Sequence, residues 1–260
     1  MDCQRAHRRQ HKRACKKRMA ELEDEKLYNQ GLERPEDYFC PICTLPIPLP
    51  MDEHSVFNAC CMKRVCKGCV CAVEKRGMRG CPFCRTPHPY NDSDTLVMLL
   101  ARVEKKDPDA ISNLGMKYLF GDLGLQKDAR RAVELWTEAA ELGWIGALCS
   151  LGNAYYLGDG VQKDEAKAIQ FWRKVAMQGH VEGRNNLGSY EWVEGSHDRA
   201  VRHFLISAKM GNNVSVENIK KMFSMGNATK EQYAEALKGY QHAVEEMKSH
   251  DRDEAKRLGF

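Results

Sequence analysis

The chain has 260 residues, 29% of them Asp, Glu, Lys or Arg, and a formal net charge of +4. No run of about 18 apolar residues occurs, so no membrane span is expected, and the charged N-terminus lacks the apolar core of a secretory signal. The expectation is a soluble, cytoplasmic protein, and in that reducing compartment clustered cysteines point to metal rather than disulfides.

Residues 1–20, MDCQRAHRRQHKRACKKRMA, hold eight Lys/Arg against one acid, a balance of +7 that leaves −3 for the other 240 residues. The basic character belongs to a tail, not to a binding face of the whole protein. The run fits a nuclear-localisation or RNA-binding tail. It also fits a solvated basic helix continuing into AELEDEKLY, the reading adopted here, although acids at that far end oppose the helix dipole. Cys3, His11 and Cys15 follow the spacing Cys-x7-His-x3-Cys, which resembles the last ligands of a MYND-type zinc finger. The resemblance implies at most a partial metal site. The rest of such a finger would lie upstream, so residues 1–36 are expected to form no complete MYND module.

Cysteine use then changes abruptly. Residues 40–84 hold nine of the twelve cysteines, and residues 85–260 hold only Cys149. Cys40/Cys43, Cys66/Cys69 and Cys81/Cys84 are three pairs spaced by two residues, and Cys60/Cys61 make a fourth. Such pairs can place two thiolates on one tetrahedral Zn²⁺, so eight ligands serve two ions. A segment of 45 residues cannot bury a self-sufficient core. A structural zinc contributes an apparent binding free energy of about 10–16 kcal/mol, comparable with the stability of a whole domain. An iron–sulfur cluster takes four cysteines and would leave the others idle.

The order of the pairs, over residues 40–86, resembles the RING finger in an all-cysteine form. The resemblance implies interleaved sites: Cys40, Cys43, Cys66 and Cys69 around one ion, Cys60, Cys61, Cys81 and Cys84 around the other. The adjacent Cys60-Cys61 departs from the commoner Cys–gap–His, so His54 and Cys71 stay open as alternative ligands. His54 reads as a loop residue, and Cys71 as a small apolar residue of a short helix. RING fingers commonly recruit a ubiquitin-conjugating enzyme. The resemblance assigns that contact to Ile42, Pro82 and Arg85. The aromatic residue usual in the helix between Cys69 and Cys81 is missing.

After Pro108 there is no proline, and the composition turns to Ala, Leu, Glu and Lys, which reads as helical. SNLGMKYLFGDLGLQKDARRAVELWTEAAELG is followed by CSLGNAYYLGDGVQKDEAKAIQFWRKVAMQG. Leu114, Leu151, Leu187 and Ile219 share one position, at spacings of 37, 36 and 32 residues. Trp136, Trp172, Phe204 and Tyr240 share another, at 36, 32 and 36. Such periods indicate stacked helical hairpins. Leu114 and Tyr118 lie on one helix face. Gly115 and Gly152 cost roughly 1 kcal/mol each against Ala, tolerable if a neighbouring helix must come close. Gly158 and Gly160 can end a first helix. Asp128 and Asp164 are candidate N-caps, and Thr229 with Gln232 forms a capping-box pattern. The second helices should bury Ala132, Trp136 and Ala140, then Ala168, Trp172 and Ala176. These residues, over about 108–245, resemble the Sel-1-like repeat, a relative of the tetratricopeptide repeat. The third unit lacks the loop glycines and the fourth is degenerate. The resemblance implies an α-solenoid that presents a surface to partner proteins and carries no chemistry.

The expected fold is therefore mostly α: a small zinc-stabilised RING-like module over 37–90, and a solenoid of helix-turn-helix repeats over 107–245. A basic segment (1–36) precedes them and a charged tail (246–260) follows. Two functions fit. The first is a ubiquitin ligase whose partners are a conjugating enzyme and a substrate or complex subunit selected by the repeats. The second is a non-catalytic zinc-finger adaptor. Nucleic acid is not an expected partner.

Overall fold

The computed structural model describes residues 2–260, and the side chains of these except residues 2–10, Lys16 and Ala20. Helix α1 (Asp2–Asn29) is followed by a short 3-10 turn (Glu36–Tyr38), the single-turn α2 (Met51–His54), strands β1 (Ser55–Asn58) and β2 (Lys63–Cys66), and α3 (Lys67–Lys75). Helix α4 (Asp92–Val103) leads into four antiparallel pairs. They are α5 (Pro108–Phe120) with α6 (Ala129–Glu141), α7 (Ile145–Leu157) with α8 (Glu165–Ala176), α9 (Val181–Val193) with α10 (His197–Lys209), and α11 (Asn213–Ser224) with α12 (Lys230–Glu246). Helix α13 (His250–Arg257) comes last. Among the described residues no helix is long and apolar enough to cross a membrane.

The helix ends follow their local chemistry. Asp128 accepts from the Arg131 amide at 2.9 Å and Asp164 from the Lys167 amide at 3.0 Å, opening α6 and α8. Thr229 and Gln232 close a reciprocal capping box on α12. Gly158 ends α7 in the left-handed region at φ 83°, where a side chain would be strained. In the shortened third unit, α9 instead stops at Glu194 and the left-handed residue is Gly195.

The repeat glycines are explained by contact. A Cβ on Gly115 would lie 2.7 Å from the Trp136 indole nitrogen, one on Gly152 2.6 Å from that of Trp172, and one on Gly188 2.7 Å from the Phe204 ring. In the first three pairs, the first helix thus lays bare backbone against the aromatic residue of its partner. Trp172 is 3% exposed, and its indole donates to Asn153 Oδ1 at 3.0 Å. Gly152→Ala should therefore lower stability by about 1–3 kcal/mol through overpacking, although Ala gains helix propensity of about 1 kcal/mol. A urea midpoint equal to or above wild type would contradict this. One expected core position shifts: Ala139 is fully buried on α6, while Ala140 is only partly so.

At each end of the chain, part of the expected charged segment is packed against its neighbours. The basic helix is real, but its acidic end is docked on the solenoid. Leu27 is buried with Leu148, Trp172, Val175 and Leu187. Asp24 meets Arg199 at 2.7 Å and Arg173 at 3.8 Å, so partner cations offset acids that oppose the α1 dipole. The charged stretch after α12 forms α13, capped by Ser249. Helix α13 packs on α3, with Ala255 buried and Lys75 paired to Glu254. A helix that buries one alanine and half-buries one arginine keeps a composition that reads as solvent-exposed.

Candidate metal centre

The three turns that carry cysteine pairs outside α3 use one device. Thr44, Met62 and Arg85 each directly follow the last cysteine of a pair, and all have positive φ, 57°, 56° and 64°. The Thr44 amide donates to the Cys40 carbonyl at 2.8 Å, and the Arg85 amide to the Cys81 carbonyl at 2.8 Å. Cys40 and Cys81 amides then reach back to the Leu45 and Thr86 carbonyls at 3.0 and 2.8 Å. Cys40/Cys43 and Cys81/Cys84 therefore sit in matching knuckles that aim both thiols inward. For adjacent Cys60 and Cys61, the Cys61 and Met62 amides both donate to the Asn58 carbonyl, at 3.1 and 2.8 Å. This is the sharp turn that neighbouring ligands need. The fourth pair uses a helix start: Cys66 is the N-cap of α3 and Cys69 lies in its first turn.

The antiparallel hairpin β1–β2, with Ser55 opposite Cys66 and Asn58 opposite Lys63, spans the distance between Cys61 and Cys66. It sends one pair to each end of the module. The thiols of Cys40, Cys43, Cys66 and Cys69 converge within 4.8 Å of one another, and so do those of Cys60, Cys61, Cys81 and Cys84. Cys43 and Cys66 sulfurs are 3.7 Å apart, Cys61 and Cys81 3.7 Å, and Cys60 and Cys84 3.3 Å. A tetrahedron with Zn–S bonds of about 2.3 Å has an S···S edge of about 3.8 Å. Both groups thus have the chemistry and spacing to hold a metal ion. His54 and Cys71 belong to neither group; Cys71 is buried on α3.

The thiols of each group shift one another's pKa values. Burial, then the neighbouring thiols of Cys84 and Cys81, pushes Cys60 up; burial likewise holds Cys61 up at about 12. Hydrogen bonds from its neighbours Cys66 and Cys69 push Cys40 down. Metal binding at such a group would displace protons from its thiols.

The two groups differ in surroundings. Cys40, Cys66 and Cys69 are buried among Ile47, Val65 and Val70, whereas Cys84 is exposed and Cys60 and Cys61 are partly so. An arginine from each end of the helical array touches the module, and sequence reasoning missed both. Arg102 of α4 donates twice to the Cys60 carbonyl, at 2.6 and 3.1 Å. Arg252 of α13 donates to the Pro46 and Leu45 carbonyls, at 2.6 and 3.2 Å, and lies 3.6 Å from Cys43 Sγ. Ile42 and Arg85 are exposed and Pro82 is half-buried. His11 and Cys15 lie one turn apart on α1, 3.7 Å between Nδ1 and Sγ; the Cys3 side chain lies outside the described residues.

Comparison with known proteins bears on the helical part. The Sel1 repeat family model matches residues 108–144, 145–180 and 182–212. Neither a RING nor a MYND model matches, and no curated protein matches the chain. A Sel1 repeat protein from Oxalobacter formigenes is 28% identical over 59% of this chain and 64% of its own, with a TM-score of 0.47. A protective antigen of uropathogenic Escherichia coli strains, displaying an SLR fold, is 24% identical over 74% of this chain, with a TM-score of 0.50. This chain spans 40% of that antigen's length. The first three of the four helical pairs are therefore Sel1 repeats, joined in one chain to a compact module with two four-cysteine groups.

Proposed function

We propose that residues 40–84 hold two zinc ions in a RING-like module, and that this module recruits a charged ubiquitin-conjugating enzyme while the repeats hold a substrate protein. The observation that carries the metal part is the convergence of eight thiols into two sets of four, contributed in alternating order. The enzyme-recruiting part rests on Ile42, 41% exposed between two ligands, with Pro82 and Arg85 at the second knuckle. The zinc ions supply shape, not reactivity. In this reading the chain supplies no nucleophile or base for the transfer; its contribution is to orient a thioester and an acceptor, which is catalysis by positioning.

One feature favours the adaptor reading. Helix α3, KGCVCAVEK, carries no aromatic side chain, where the resemblance expects one against the conjugating enzyme. Elemental analysis of the purified chain should give two zinc ions per chain; one or three would revise the ligand list. With zinc and a set of conjugating enzymes charged with ubiquitin by an activating enzyme and ATP, chain formation is expected, and Ile42→Ala should abolish it without loss of zinc. Two bound zinc ions with no ubiquitin transfer by any conjugating enzyme would leave the adaptor function.

A further inference from the structure

We propose that Arg252, some 200 residues distant in sequence, is the charge-balancing outer partner of the Cys40/Cys43/Cys66/Cys69 site, so that metal in this site and docking of α13 depend on each other. The inference rests on the metal reading above. Four thiolates around a dication carry a formal charge of −2. At the Cys60/Cys61/Cys81/Cys84 group water can screen that charge, because Cys84 is exposed. At the other group water screens it less, because Cys40, Cys66 and Cys69 are 0%, 1% and 5% exposed and Cys43 is partly exposed. A buried net charge needs a nearby countercharge or dipoles. Arg252 supplies the countercharge. Its Nη1 donates to the Pro46 and Met247 carbonyls, the latter at 2.7 Å, and its Nη2 is shared between the Leu45 carbonyl at 3.2 Å and Cys43 Sγ at 3.6 Å. The other arginine of the module, Arg102, meets a backbone carbonyl of Cys60 and no thiol. Hydrogen bonds to ligand atoms orient them and tune affinity, so the two arginines are predicted to act differently.

The dependence runs in both directions. The Leu45 and Pro46 carbonyls that hold Arg252 lie in the loop closed by the first knuckle, where the Cys40 amide bonds the Leu45 carbonyl. Loss of the ion frees that loop and removes the receptor for Arg252. Gly68, between Cys66 and Cys69, is the second point of contact. A Cβ there would lie 2.8 Å from the Arg252 backbone nitrogen, so only glycine lets α13 approach.

The test uses the full zinc-loaded chain. A colorimetric chelator follows zinc release, mass spectrometry after cysteine alkylation identifies which set is emptied, and hydrogen exchange follows residues 250–257. Arg252→Gln should speed release from Cys40, Cys43, Cys66 and Cys69 about 10–100-fold and leave the other set unchanged. Arg252→Lys should recover part of the effect. Gly68→Ala, which keeps the arginine, should reproduce the faster release by lifting α13. Arg257→Gln, on the exposed face of the same helix, should change nothing. Stripping zinc should abolish protection at 250–257. If Arg252→Gln and Gly68→Ala release both ions at the wild-type rate, or if α13 stays protected in the zinc-free chain, the coupling is wrong. A purified chain that takes up no zinc at all would instead overturn the metal reading itself.

Discussion

Cys69→Ser should abolish the fold of residues 38–84 and leave α5–α12 intact. Cys69 belongs to the buried group, on the first turn of α3, and its sulfur lies within 4.8 Å of Cys40, Cys43 and Cys66. Apart from cysteines, the buried apolar side chains around that group are Ile47, Val65 and Val70. Each such side chain contributes about 1.5–3 kcal/mol on burial. Ordering the backbone costs about 1–2 kcal/mol for every residue fixed. Even with the buried Tyr38, Ala59 and Met62 added, these side chains fall short of ordering the whole segment, whereas a structural zinc contributes about 10–16 kcal/mol. The expected result is collapse of NMR dispersion for residues 38–84 in the variant, with helical signals of the repeats retained. A chelator should do the same to the wild-type chain. Dispersed resonances in that stretch with zinc gone would sink the reading. Acidification should mimic the chelator, with a definite sign. The loaded, folded module holds its cysteines as thiolates, while the unfolded segment holds them as thiols below about pH 8.5. The unfolded state binds more protons, so stability rises with pH through this range and falls on acidification.

What could be read from the residues, and what could not, divides along one line. The cysteine pairs and the 36-residue period were legible because both are local: a two-residue gap brings thiols together, and one repeat packs on the next. Asp128, Asp164 and Gly158 belong to the same class, since a cap involves residues three or four apart. The missed features are long-range and polar. Arg252 meets carbonyls 206 and 207 residues away, and Arg102 a carbonyl 42 residues away. An arginine that will bind backbone oxygen has no complementary residue type to betray it. Helix α13 was read as a charged tail for that reason. The β1–β2 hairpin was missed because its four-residue strands are too short to alternate visibly, and its register is set by the cysteines that flank it.

Arg184→Met should be strongly damaging to the solenoid, at about 3–5 kcal/mol, since it strips several buried carbonyls of their donor. Arg184 lies on α9, is 0% exposed, and has no carboxylate partner among the described residues. One amino group donates to the Leu27 carbonyl, the other to the Gln30 and Ala176 carbonyls, both at 2.7 Å, and to Gly31 at 3.4 Å. Leu27 and Gln30 lie at the C-terminal end of α1, and Ala176 is the last residue of α8. Two helix C-termini, each with partial negative charge, thus converge on one guanidinium. Burial lowers the pKa of Arg184 to about 10, so it stays charged at neutral pH. Methionine fills a similar volume but leaves these carbonyls buried without a donor, at about 1–3 kcal/mol for each group that water cannot reach. Lysine keeps the charge and three donors yet lacks the planar fork, so Arg184→Lys should recover only part of the loss. Gly31→Ala attacks the same joint independently: its φ is 61° and a Cβ would lie 2.1 Å from the Ala176 carbonyl oxygen. The variants should show a lower urea midpoint and fast hydrogen exchange at residues 24–31, with Tyr28 withdrawn from its contact with the His203 ring. An Arg184→Met chain within about 0.5 kcal/mol of wild type, the range of neutral surface changes, would mean that α1 is not held by this clamp.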